Sequence, residues 1–283
     1  MLVPLKTILA DAYARHYAVG AFNLLSIEHA KGAIAAAEEL RSPIILQVAE
    51  VQFPYAPLET MGPIFLDLAR KASVPVTVHL DHGQSLETCV KALMLGYNSV
   101  MFDGANLPFE ENAATTAAVA RIAKAAGADI EAELGKVGET AFGSGKADAV
   151  PDVFTDVEES ARFIERTGID ALAVAIGNLH GRYVATPKLN IERLKELSSR
   201  NRLPLVLHGG SGTSEEDFKA CIRNGISKIN VATALQMAVT EAVGRYLAET
   251  ASPNYIDMKQ QMVDATRKSV MEHMLLFESN DKA

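Results

Sequence analysis

Eight short apolar runs recur along this chain, most of them rich in β-branched residues, and each is followed by a stretch of helical periodicity. They lie at 19–23 (VGAFN), 43–49 (PIILQVA), 75–80 (PVTVHL), 99–103 (SVMFD), 128–134 (ADIEAEL), 170–176 (DALAVAI), 203–208 (LPLVLH) and 227–231 (SKINV). The intervening segments include SIEHAKGAIAAAEEL, SLETCVKALMLG, DVEESARFIERTG and SEEDFKACIRNG. Each has Ser or Asp placed to cap its start, and the last three have Gly placed to stop them. Runs that are apolar on both faces need cover on both sides, which points to a parallel sheet wrapped by helices. Eight is the number of strands that closes a (β/α)8 TIM barrel. After Asn230 the pattern is helical only, so the expected α/β architecture is one barrel domain spanning 1–283 with a C-terminal helical extension. The segment 135–155 (GKVGETAFGSGKADAVPDVFT) is long and Gly-rich for a βα loop and predicts a lid.

Composition narrows the partners. A formal net charge of −8 and the absence of any Lys/Arg run give no cationic footprint for a phosphate backbone, so no nucleic acid is expected. No segment reads as a bilayer span, and the first residues (MLVPLKTILADAYARHY) read as a helix and not as a signal peptide. Cys89 and Cys221 lack metal-ligand spacing and suggest no disulfide framework. These features favour a cytoplasmic setting without membrane partners.

Enzymes on such barrels build their sites at the C-terminal strand ends and in the loops that follow. Polar groups fall there in this chain: Asn23; Asp81 and His82; Asp103; Glu133; His208, leading into GGSG; and Asn230, leading into VAT. The sixth strand runs into GNLHG, with His180. Of the seven histidines, His16, His29 and His273 lie in polar helical stretches and read as solvated surface residues. His79 sits deeper in its strand and reads as a core or metal-supporting group. His82, His180 and His208 share one rim, and three neutral imidazoles with an open fourth position form a catalytic zinc shell. Asp81, beside one of them, reads either as an acid/base or as a carboxylate orienting an imidazole. Asp103 and Glu133 suit the supporting role better.

The loops after the seventh and eighth strands, HGGSGTSEEDF and NVATALQMAV, each lead into a helix. Backbone N–H groups at helix starts hold anions, and barrels place phosphate at these loops. Plain capping competes at the first, where Ser214 and Asp217 resemble a capping box.

In these passages, and in PFEENAATT and EAELGKVG, the chain resembles the class II, zinc-dependent ketose-bisphosphate aldolases of the fructose- and tagatose-bisphosphate type. The resemblance implies Asp81 as the proton-transferring acid/base and His82, His180 and His208 as Zn2+ ligands. It further implies a phosphate and dihydroxyacetone-phosphate site from Gly181, from Gly209, Gly210 and Ser211, and from Asn230, Val231, Ala232 and Thr233. A monovalent cation, Na+ or K+, near that phosphate and a homodimer or homotetramer belong to the same picture. Three positions depart from the pattern. Ala49, followed by Glu50, Val51 and Gln52, stands where a small hydroxyl residue is common. Glu139 replaces the second of two lid glycines, and Ala232 replaces an Asp or Asn. The departures leave the metal and enediolate half intact and fall on the aldehyde half.

The activity expected is reversible cleavage of a ketose 1-phosphate or ketose 1,6-bisphosphate to dihydroxyacetone phosphate and an aldehyde. A modified sugar phosphate or sugar-acid phosphate yielding an unphosphorylated aldehyde is the alternative. Glu139 is the nearest candidate for a lid acid that exchanges the enediolate proton. Two rivals differ in kind: a Schiff-base aldolase using Lys228, which shares strand parity with Asn230, and a metal-free sugar-phosphate sensor on the same scaffold.

Overall fold

The computed structural model describes residues 1–139, 154–181 and 188–283, apart from the side chains of Glu139 and His180. In chain order the elements are α1 (Leu5–Arg15), β1 (Val19–Asn23), α2 (Ile27–Glu39), β2 (Ile44–Ala49), a 3-10 turn (Glu50–Gln52), α3 (Leu58–Lys71), β3 (Val76–Gly83) and α4 (Leu86–Met94). There follow β4 (Ser99–Phe102), α5 (Phe109–Ala125), β5 (Asp129–Leu134), β6 (Gly138–Glu139), α6 (Val157–Thr167), β7 (Ala171–Val174) and β8 (Leu179–His180). The remainder is α7 (Ile191–Asn201), β9 (Leu205–Leu207), α8 (Glu215–Arg223), β10 (Ile226–Val231), α9 (Thr233–Glu249) and α10 (Tyr255–Leu276).

Strands β1, β2, β3, β4, β5, β7, β9 and β10 close into one parallel barrel, β10 pairing back onto β1. These are the eight runs read from the sequence. The two-residue strands β6 and β8 pair with each other outside it. Capping follows the chemistry of the starts: the side chains of Ser26, Ser85, Asp156 and Ser214 each accept from the backbone N–H three residues on. Gly168 stops α6 in the left-handed region that an L side chain avoids.

Two apolar layers hold the barrel. Side chains on the outer strand faces, such as Phe22, Leu80 and Ile229, meet the helices. Inside, Ala21, Ile45, Met101 and Val206 pack with Leu5, Ile8 and Leu9 of α1, which plugs the N-terminal end. The C-terminal extension lies on α2, where a Cβ at Gly32 would come within 2.5 Å of the Val263 carbonyl oxygen. Ion pairs from Lys259 to Glu28 and from Arg267 to Glu39 line the same contact. With one end plugged and the wall covered, the C-terminal mouth is left for chemistry.

Two expectations change here. His29 is buried, its Nδ1 accepting from the Leu25 N–H at 3.2 Å, and His273 packs edge-on against Phe22 and Phe277. Neither is a solvated surface group, because α2 and α10 turn these positions toward the barrel wall and toward each other. Residues 140–153, most of the expected lid, lie outside the described residues.

Candidate active site

Successive strand residues point to opposite faces, so Asp81 and His82 should not both reach the barrel mouth. They do so because β3 is irregular: its register against β4 shifts between Leu80 and Gly83, and His82 adopts φ 44°. His82 lies within β3, at a bulge that re-aims its side chain. A non-glycine residue in the left-handed region stores strain and is common at functional sites. Gly83 completes the device, since a Cβ there would meet the Met101 carbonyl oxygen at 2.8 Å.

His82 and His208 meet edge to face, with His82 Nε2 and His208 Nδ1 2.7 Å apart. Their outer nitrogens are held by carboxylates: His82 Nδ1 by Asp103 Oδ2 at 2.7 Å, and His208 Nε2 by Glu131 Oε1 at 2.9 Å. With each outer nitrogen donating to its carboxylate, the two inner nitrogens face one point, where they would share either a proton or a metal cation. Around it stand Asp81, with Oδ1 3.9 Å from His82 Nε2, and Glu133, whose buried Oε2 has no hydrogen-bond partner among the described residues and lies 3.9 Å from His208 Nδ1. Among the described residues, Asp81, His82 and His208 form one group able to hold a metal ion, and His82, Asp103 and Glu133 form another. The donor set, two imidazoles backed by carboxylates with an orphaned carboxylate oxygen at hand, fits a divalent metal such as zinc.

The electrostatics agree. Burial pushes the His82 imidazolium down, but Asp81, the hydrogen bond to Asp103, and Glu133 outweigh it and raise the pKa to about 10. Burial raises the Asp81 carboxyl, yet His82, His208 and Lys228 bring it below its ordinary value, so it is ionised. Glu133 goes the other way, pushed up to about 8 by burial and by Asp103.

Below this rim lies a buried polar layer that the sequence reading largely missed. Glu131 bridges the structure, with Oε2 2.8 Å from Lys228 Nζ and Oε1 on His208. Lys228 also donates to Asn230 Oδ1 at 2.8 Å, and Asn230 Nδ2 donates to Asp81 Oδ1 at 2.9 Å. On the other side Gln47 donates to Asn23 Oδ1 at 2.9 Å, and Asn23 Nδ2 donates to Asp81 Oδ2 at 2.8 Å. His79 is fully buried on Ser99 Oγ at 2.7 Å, and burial, then Lys228, holds its pKa well below the usual value. It belongs to the supporting layer. Strand parity was the available clue: Glu131 and Glu133 share a face, as do Lys228 and Asn230.

The phosphate-type loops also converge. Ser211 Oγ accepts from the Ala234 N–H at 3.3 Å, joining the loop after β9 to the start of α9. That helix has no side-chain cap from Ala232 and no acid in its first turn. The start of α8, by contrast, carries Glu215, Glu216 and Asp217 and is capped by Ser214, so it is the poorer anion site. Gly181 and Gly209 take φ 93° and 67°. Glu139 and His180 are register partners in the β6–β8 pair, but their side chains lie outside the described residues, and so do the placements expected of them as lid acid and ligand.

A parallel eight-stranded barrel whose mouth holds a buried carboxylate beside a metal-type imidazole pair has the layout of a metal-dependent barrel enzyme. Comparison with known proteins narrows the class. The family model for class-II fructose-bisphosphate aldolase matches residues 3–282. A probable fructose-bisphosphate aldolase of Bacillus subtilis (strain 168) is 39% identical over 100% of this chain and 99% of its own. A sulfofructosephosphate aldolase of Alkalicoccus urumqiensis is 38% identical, covering 98% and 97%. The crystal structure of the YdjI aldolase from Escherichia coli K12 superposes with a TM-score of 0.88 at 35% identity, over 100% of both chains. The chain belongs to the class II fructose-bisphosphate aldolase family and is an aldolase, a carbon–carbon lyase of a metal-dependent family that acts on sugar phosphates.

Proposed function

We propose that this protein is a zinc-dependent aldolase, working as one domain over 1–283, that cleaves a ketose 1-phosphate or ketose 1,6-bisphosphate to dihydroxyacetone phosphate and an aldehyde. The observation that carries the reading is the facing His82 and His208 nitrogens, 2.7 Å apart and backed by Asp103 and Glu131, beside ionised Asp81. His82 and His208, with His180 as third ligand, would hold zinc, which as a Lewis acid supplies stabilisation for negative charge next to a carbonyl. Asp81 takes the proton from the C4 hydroxyl as the C3–C4 bond breaks, and the bonding electrons pass to C3 to give the enediolate of dihydroxyacetone phosphate. Asn23 and Asn230, each donating to one Asp81 oxygen, fix the carboxylate for that transfer.

Gly181, the Gly209–Gly210–Ser211 loop and the α9 start from Asn230 through Val231, Ala232 and Thr233 are the proposed phosphate cradle. The uncapped, acid-free first turn of α9 supports it. A Na+ or K+ beside the phosphate, a homodimer or homotetramer, and a cytoplasmic location complete the proposal; no helix among the described residues is long and apolar enough to cross a membrane. The Schiff-base rival is disfavoured because Lys228 is fully buried in an ion pair with Glu131.

The aldehyde half is less constrained. Relatives at 39% and 38% identity carry names that differ there, a bisphosphate in one and a sulfofructose phosphate in the other. A modified sugar phosphate or sugar-acid phosphate is therefore the second reading, favoured by Ala49 and the absence of any Lys or Arg in 49–57. The test is aldehyde-dependent consumption of dihydroxyacetone phosphate, offered glyceraldehyde 3-phosphate and unphosphorylated or acidic aldehydes. Consumption abolished by EDTA and restored by zinc supports the proposal. No consumption with any aldehyde by zinc-loaded protein rejects it in favour of a sugar-phosphate sensor.

A further inference from the structure

The wall of the mouth formed by β1 and β2 has an unusual donor. Ala49 stands opposite Asp81 in the β2–β3 register, buried and with no polar side-chain atom. Three residues on, Gln52 ends the 3-10 turn and folds back over this position. Its Oε1 accepts from the Ala49 N–H at 3.1 Å and from Asn23 Nδ2 at 3.3 Å. The same Asn23 nitrogen donates to Asp81 Oδ2 at 2.8 Å, so the Gln52 amide stands two hydrogen bonds from the proposed base.

Two donors on one oxygen fix the orientation of the amide, because exchanging its O and N would set N–H against N–H twice. The Nε2 group is thereby directed to the other branch, where it has no hydrogen-bond partner among the described residues, and Gln52 is half-buried at the C-terminal end of the barrel. The neighbouring acid does not compete. Glu50 turns to α4 and its preceding loop, accepting from the Gln84 N–H at 2.7 Å and Thr88 Oγ1 at 3.0 Å. The wall thus offers a neutral, oriented N–H pair and, within 49–57, no cation.

We propose that Gln52 is the specificity-determining residue for the aldehyde half, its Nε2–H donating to the hydroxyl oxygen on the carbon next to the aldehyde carbonyl. The inference rests on the aldolase reading above and adds to it the chemical feature read in the second substrate: a hydroxyl acceptor. Gln52 is a binding residue, not a proton-transfer group. The competing role is that of a turn cap alone, in which the Ala49 N–H contact is the whole purpose.

Two substitutions separate these roles. Gln52→Glu keeps an oxygen for Ala49 and Asn23 and deletes the donor; Gln52→Met deletes both. With zinc-loaded protein and dihydroxyacetone phosphate, kcat/KM is compared for glyceraldehyde and for 3-hydroxypropanal, which lacks the hydroxyl in question, and thermal melting verifies that each variant is folded. Wild type is expected to prefer glyceraldehyde. Gln52→Glu lowers kcat/KM for glyceraldehyde roughly tenfold more than for 3-hydroxypropanal, so that the preference for glyceraldehyde is lost. Gln52→Met lowers both aldehydes, through Asn23 and Asp81. A wild-type ratio of the two aldehydes retained in Gln52→Glu, or no preference in wild type, overturns the proposal and leaves the cap. Wild-type protein that consumes neither aldehyde and exchanges no proton of dihydroxyacetone phosphate overturns the aldolase reading itself, and this inference with it.

Discussion

Glu131 is the hinge of the polar layer, and replacing it with glutamine tests how the site is held in shape. The carboxylate has two jobs, one oxygen 2.8 Å from Lys228 Nζ and the other 2.9 Å from His208 Nε2, all three groups being fully buried. An amide can accept from one partner only by turning its NH2 on the other. Removing one member of a buried pair costs about 3–5 kcal/mol, because the remaining charge is left in a low-dielectric interior. For a chain of this size that is a fall in melting temperature of roughly 6–20 °C. Lys228→Met should cost a similar amount for the same reason. The double variant should melt closer to wild type than either single one, since it removes both charges and leaves an amide oxygen for His208. The assay is thermal melting of metal-free protein in EDTA, because bound metal would raise the apparent stability of every variant. Falls that add in the double variant would refute the reasoning, and so would a single substitution that shifts the melting temperature by less than about 2 °C.

Other outcomes follow from the same geometry. Asp81→Asn should keep zinc and lose about 100- to 10,000-fold in kcat, measured by coupled detection of dihydroxyacetone phosphate; an active variant would remove Asp81 as the base. Asp103→Asn weakens the hold on His82 Nδ1 and should lower zinc affinity about 10- to 100-fold by calorimetry, while leaving the fold intact. His273, its pKa lowered from 6.5 by burial against the Ser269 carbonyl contact that raises it, binds its proton more readily in the unfolded chain. It therefore subtracts stability as pH falls through about 6.5, and His273→Phe should reduce the loss of melting temperature between about pH 7.5 and about pH 5.5. A steeper loss in the variant would contradict that sign.

Much of this was legible in the sequence, for identifiable reasons. A parallel barrel needs apolar strands and capped helices, so β1 is found at Val19–Asn23 as read, and Ser85 and Ser214 cap the helices assigned to them. The residues at strand ends were legible because the barrel sends them to one rim. What escaped was local and three-dimensional. Alternation alone sends His82 outward, and only the bulge and its φ of 44° bring it in beside Asp81. Glu131 and Lys228 lie one pleat below the rim, where an ionised residue is costly unless paired, and pairing across β5 and β10 is not written in either segment. His29 and His273 looked solvated because their sequence neighbours are polar, but on a helix the residues that bury a side chain are three and four away or on another element.

The central claim is that the His82–His208 cluster is a metal site on which cleavage depends. The most direct measurement titrates zinc into metal-free protein and follows bound metal and aldol cleavage together. The account predicts cleavage near zero without metal, rising in step with occupancy and breaking at one equivalent per chain. Full cleavage by metal-free protein, or tight zinc binding with no cleavage of any ketose phosphate, would contradict it.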